Sequence, residues 1–143
     1  MNLEANGRRV VIADHDRTVL ELLQIRLSLA GYDTHIERTG VAALQTIKRI
    51  RPAAVVLDLN LPELDGFGVL KALDPRSEGL SSHILLTGRT IGMDQIQEAV
   101  RLGARDCIAK PFSGQDVVER VSRLFRRTST GAGAYAAVAA GLA

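Results

Sequence analysis

The chain has no tryptophan, and two tyrosines and three phenylalanines complete its aromatic content, 3% of 143 residues. A core must therefore be assembled from Leu, Ile, Val and Ala, and at 46% hydrophobic residues there is enough material for one packed domain. The single cysteine, Cys107, forbids an internal disulfide. No apolar stretch approaches the roughly 20 residues that span a bilayer, and no secretory leader pattern opens the sequence. The expectation is a cytosolic protein with no membrane partner. Charge is nearly balanced, with a formal net of +2. Four arginines gather late (Arg120, Arg123, Arg126, Arg127). At helical spacing they read as a solvated face, and without a recognisable nucleic-acid module no nucleic acid is expected to bind this domain.

The sequence does contain four apolar runs, each ending in a chemically capable residue. Ala53–Leu57 ends at Asp58, and Arg9–Ala13 runs into Asp14-His15-Asp16. His83–Leu86 runs into Thr87-Gly88, and Cys107–Ala109 into Lys110-Pro111. A β-branched, fully apolar run of this length reads as a parallel strand buried on both faces. If the four belong to one sheet, their carboxyl ends share an edge, and two carboxylates, a hydroxyl and an ammonium converge where open α/β sheets hold their chemistry.

Between the runs the periodicity turns helical. Arg17 to Ala30 places Val19, Leu20, Leu23, Leu27 and Ala30 on one stripe, stopped by Gly31. Thr34–Glu37 is a poorly apolar strand suited to a sheet edge. Further helices are predicted over Gly40–Ile50, Phe67–Leu73 and Met93–Arg101, with a last one capped by Ser113 and Asp116 and running to about Arg127. A β-α unit thus recurs five times, which implies an α/β fold: a doubly wound five-stranded parallel sheet with helices on both faces. Residues 1–127 read as one domain. Residues 128–143 turn to Gly, Ala, Ser and Thr and read either as a docking tail, through Tyr135, Val138 and Leu142, or as a linker stub.

Together, Asp58, Thr87, Lys110-Pro111 and the downstream Leu61-Pro62-Glu63-Leu64-Asp65-Gly66 resemble the receiver domain of two-component response regulators, across roughly Arg8 to Arg127. The resemblance implies the flavodoxin-like strand order 2-1-3-4-5. It also implies Asp58 as phosphoacceptor, Thr87 as hydroxyl switch and Lys110 as the fixed cation, usually followed by a cis proline. A sensor histidine kinase or phosphotransfer protein would supply the phosphoryl group. Mg²⁺ would be held by Asp14, Asp58 and the backbone carbonyl of Asn60. A downstream protein, or a second copy, would be met through the face of the fourth helix, fifth strand and fifth helix. No catalysis is expected beyond the domain's own phosphorylation and dephosphorylation.

Two positions depart from that pattern. The family carries two adjacent acidic residues after its first strand, whereas here His15 follows Asp14 and Asp16 comes one place late. Imidazole is a poor ligand for hard Mg²⁺, so affinity for magnesium should fall. Near two carboxylates, His15 would be drawn toward its cationic form and could replace part of the metal's charge. Otherwise it is a loop residue without a role. Cys107 stands where the family has a Tyr or Phe that swings inward, and reads as a small buried strand residue.

Two other functions compete with this one. Ile12–Val19 also resembles the opening motif of haloacid-dehalogenase-type phosphatases, with Asp14 as nucleophile and Asp16 as acid/base. That reading lacks the late acidic pair at a strand end and leaves Asp58 unexplained. A receiver-like module that is never phosphorylated would fit His15 and Cys107 but not the intact Asp58, Thr87 and Lys110.

Overall fold

The computed structural model describes residues 5–74 and 83–126. Ten elements alternate along them: β1 (Arg9–Ala13), α1 (Arg17–Leu29), β2 (Asp33–Glu37), α2 (Gly40–Ile50), β3 (Ala54–Asp58), α3 (Gly66–Leu73), β4 (His83–Gly88), α4 (Met93–Arg101), β5 (Asp106–Ala109) and α5 (Gly114–Arg126). The strands form one parallel sheet in the order β2-β1-β3-β4-β5, as the resemblance implied. The proposed tail at 128–143 and the end of the last helix at Arg127 lie outside the described residues.

Strand period sorts the core into two layers. Val10 and Ile12 of β1 face one way, with Val56, Leu85 and Ile108, and pack beneath Leu20, Leu23 and Leu27 of α1 and Val117, Val121 and Leu124 of α5. Val11 and Ala13 face the other way, with Val55, Leu57, Ile84 and Leu86, against Ile47 of α2, Val69, Leu70 and Leu73 of α3 and Ile96 of α4. Because β1, β3 and β4 are covered on both sides, their interiors are apolar, and polar residues stand only at or next to their ends: Arg9, Asp58, His83 and Thr87. β2 pairs only with β1 and lies at the edge, which is why Thr34 and His35 are tolerated there.

Local chemistry fixes where the helices begin. The Asp16 carboxylate accepts from the amides of Thr18 and Val19, Thr39 Oγ1 accepts from Ala42, and Asp65 accepts from Gly68. At α5, Ser113 Oγ accepts from the Asp116 amide while the Asp116 carboxylate accepts from the Ser113 amide, the expected reciprocal cap. Boundaries differ from the sequence reading by one residue at several ends. The informative case is β5, which starts at Asp106 rather than Cys107. A carboxylate does not belong to an apolar run, yet this one is buried in the strand.

β1 and β3 are hydrogen-bonded neighbours, and the chain departs from them in opposite directions across the sheet. Their carboxyl ends therefore border the crevice that a doubly wound sheet leaves open.

Candidate functional site

Four strand ends meet at that crevice. Ala13 is in register with Leu57, and Asp58 with Thr87, while Gly88 pairs with Ala109. Asp14, Asp58, Thr87 and Lys110 consequently lie on one rim. Asp58 is fully buried, Asp14 is 2% exposed and Thr87 1%. The Lys110 ammonium donates to Asp14 Oδ2 at 2.7 Å and stands 3.7 Å from Asp58 Oδ2. The Lys110–Pro111 peptide is cis.

Each carboxylate has one oxygen fixed by backbone. Asp14 Oδ1 accepts from the Asp16 amide at 2.8 Å, and Asp58 Oδ1 from the Asn60 amide at 3.1 Å. The second Asp58 oxygen meets His15, whose Nδ1 lies 2.7 Å away. The same nitrogen is 3.7 Å from Asp14 Oδ1. Two acceptors do not approach to 2.7 Å unless a positive centre lies between them. With a proton on Nδ1, His15 donates to the Asp58 carboxylate. Burial pushes the Asp14 carboxyl above its ordinary range; the Lys110 hydrogen bond and the Asp16 amide oppose that rise, and the nearby Asp58 charge adds to it.

The loop behind Asp58 is held by close approach. A Cβ on Gly66 would stand 2.8 Å from the Asp58 carbonyl oxygen and 2.9 Å from Leu59 Cα. A Cβ on Gly40 would fall 1.7 Å from the Leu64 carbonyl oxygen, while the Gly40 amide donates to Pro62 at 3.1 Å. Only glycine fits these two places. The turn Leu61–Gly66 is thereby pressed between α2 and α3.

Thr87 Oγ1 is buried with no hydrogen-bond partner among the described residues. A buried hydroxyl left unsatisfied costs about 1–3 kcal/mol, so this one is an open valence at the rim. Beside it a cleft of about 430 Å³ is lined by His15, Asp16, Val19, Leu22, Arg89, Lys110, Pro111 and Phe112. Arg89 was missed in the sequence, where its signal was only its position two places after Thr87. Asp16 spends its carboxylate on the α1 cap, which removes the acid/base assigned to it in the phosphatase reading. Cys107 is fully buried against Leu86 and Ile96, and burial foremost, then the Asp106 charge, pushes its thiol up to about 12.

One arginine departs from the solvated face expected of its group. Arg120 Nη1 donates to both oxygens of buried Asp106 at 3.1 Å and to the Cys107 carbonyl at 3.3 Å. No spacing rule links residues 14 apart on a strand and a helix.

With this geometry in hand, comparison with known proteins is decisive on class. The model of the response regulator receiver domain matches residues 10–122. The chain belongs to the receiver domain family of two-component response regulators. It is 42% identical over 125 residues to response regulator MprA of Mycobacterium sp. (strain KMS), covering 85% of this chain and 52% of that one. It is also 38% identical over 119 residues to a protein named probable transcriptional regulator ycf27 of Porphyridium aerugineum, covering 83% and 48%. The chain thus spans about half the length of these relatives. Among solved structures, the Francisella response regulator 1452 receiver domain superposes with a TM-score of 0.76 at 26% identity, over 85% of this chain and 99% of that one. CheY4 of Vibrio cholerae shares the fold, with a TM-score of 0.75 at 24% identity over 82% and 98%.

Proposed function

We propose that this domain, residues 1–127, accepts a phosphoryl group on Asp58 from a phosphohistidine of a sensor kinase or phosphotransfer protein. The observation that carries this reading is the convergence of an acceptor carboxylate, a fixed ammonium and an unpartnered buried hydroxyl on one rim. One Asp58 carboxylate oxygen forms the new bond to phosphorus as the bond from phosphorus to the donor's ring nitrogen breaks, and the donor imidazole departs. Little covalent work falls to the protein, so positioning and neutralisation dominate. Lys110 offsets charge on the equatorial oxygens. Thr87 donates to one of them, gaining the partner it lacks.

A magnesium ion would be held by Asp14, Asp58 and the Asn60 carbonyl, and would neutralise phosphoryl charge. The third protein side chain at that place is an imidazole, which does not suit it, so the transfer is assigned to this chain's own residues. Beside the rim, exposed Leu22 with Val19 and Phe112 gives the cleft an apolar wall for the donor's helix. Output runs to a downstream protein or a second copy through α4, β5 and α5, in the cytoplasm and without nucleic acid or membrane contact by this domain. Among the described residues, no helix is long and apolar enough to cross a membrane.

Incubation with a small acyl phosphate, then with a histidine kinase, followed by intact-mass measurement and peptide mapping, tests the reading. Addition of one phosphoryl group at Asp58, abolished in Asp58→Asn, is expected. Addition at Asp14, or none from either donor, would overturn it.

A further inference from the structure

The side chains that converge on the rim form a mixed donor set: a carboxylate oxygen from Asp14, the imidazole Nδ1 of His15 and a carboxylate oxygen from Asp58, all within 4.8 Å of one another. We propose that this triad selects a first-row transition dication, of the Mn²⁺ to Zn²⁺ series, over Mg²⁺. The inference deepens the receiver reading of the same site and rests on it only for the use to which the ion is put.

The chemistry of the donors comes first. Mg²⁺ demands six oxygens in near-ideal octahedral order and sheds water reluctantly, whereas imidazole suits borderline ions such as Fe²⁺, Co²⁺, Ni²⁺ and Zn²⁺, which N/O sites hold more tightly than Mn²⁺. Geometry leaves room for an ion after small shifts. Ligand atoms sharing one ion at bonds of about 2.1 Å lie about 3.0–3.4 Å apart. His15 Nδ1 stands 2.7 Å from Asp58 Oδ2, a hydrogen-bond distance, and 3.7 Å from Asp14 Oδ1, so a bound ion would replace the Nδ1 proton and move these atoms by a few tenths of an ångström.

The lone pairs are also disposed correctly. Lys110 occupies Asp14 Oδ2, and the Asn60 amide occupies Asp58 Oδ1. Facing His15 are Asp58 Oδ2 and Asp14 Oδ1, the latter keeping a second lone pair beside the bond it accepts from the Asp16 amide. A second, independent feature is the buried Thr87 hydroxyl, in register with Asp58 and without a partner. It marks this rim as built for a group not made of protein.

The test uses the whole chain with any purification histidines removed. Calorimetric titration with Mg²⁺ and Zn²⁺, and Co²⁺ titration followed by its visible d–d absorption, read binding directly. Zn²⁺ and Co²⁺ should bind more tightly than Mg²⁺ by on the order of a hundredfold. His15→Asp should narrow that gap to about tenfold or less, and His15→Ala should abolish the cobalt band. His15 is 45% exposed, so both variants should fold, as circular dichroism would verify. Equal affinity for Mg²⁺ and Zn²⁺ overturns the proposal. So does a cobalt band that survives in His15→Ala, which would place the ion at His35 or His83. None of these readouts involves phosphoryl transfer. Failure to phosphorylate Asp58 would therefore sink the phosphoacceptor reading while leaving the metal preference standing, and the converse holds.

Discussion

Replacing Arg120 by methionine removes the cation from a carboxylate that the fold has already buried. Asp106 is 1% exposed in β5, and its oxygens each receive Arg120 Nη1 at 3.1 Å. Breaking one side of a fully buried ion pair costs about 3–5 kcal/mol, mainly because the other charge is left unpaired. Here two features place the cost at the lower end, about 3 kcal/mol. The Cys107 amide still donates to Asp106 Oδ1 at 2.9 Å, and the Arg120 side chain is 15% exposed. The Cys107 carbonyl loses its contact as well. Urea unfolding followed by far-ultraviolet circular dichroism is the assay, since the chain has no tryptophan to report by fluorescence. The midpoint should fall with an unchanged slope. Combining Arg120→Met with Asp106→Val removes both charges and should recover stability to within about 1 kcal/mol of the native chain. A loss under about 1 kcal/mol in the single variant, or a double variant as unstable as the single, would refute the idea that the pair matters through unpaired burial.

Thr87→Val removes a buried hydroxyl that has no partner among the described residues. It should leave stability unchanged or raise it by about 1 kcal/mol, while shortening the lifetime of phosphorylated Asp58 in a dephosphorylation time course. Gly40→Ala drives a methyl group into the Leu64 carbonyl oxygen. It should cost about 3 kcal/mol in the same urea assay and slow acyl phosphate labelling, because the turn behind Asp58 must shift. Cys107, with its thiol pushed up to about 12 by burial, should resist a disulfide reagent at neutral pH until urea unfolds the chain. The sign of its linkage follows: the folded state keeps its proton above the ordinary value of 9.0. Its contribution is full below pH 9.0 and is lost as pH rises toward 12. A Cys107→Ala chain should show a smaller alkaline loss of stability.

The fold was largely legible because burial on both faces leaves an unambiguous trace. β1, β3 and β4 show as apolar runs, and the cap at Ser113 and Asp116 follows a local rule. The rim was legible for a related reason, since Asp14, Asp58, Thr87 and Lys110 each follow directly on such a run or close it. What escaped is what depends on distance in the chain. The partnership of Arg120 with Asp106 couples a helix to a strand, and it made an arginine row look like solvated surface. The approach of Gly40 to Leu64 is visible only when α2 is packed against the turn. His15 could be seen to be out of pattern, but not that Nδ1 would reach the acceptor carboxylate itself.

The glycine at the start of α3 has a mechanical consequence. With Gly66 seated on the Asp58 carbonyl and Leu59, and Gly40 wedged on Leu64, Asp58 is mounted on an anvil with no slack beneath it. A load applied at the rim cannot be absorbed on that side, because close-packed interiors yield little. It must be relieved across the sheet, where the uncommitted Thr87 hydroxyl can be drawn in and β4 can pull on whatever follows it.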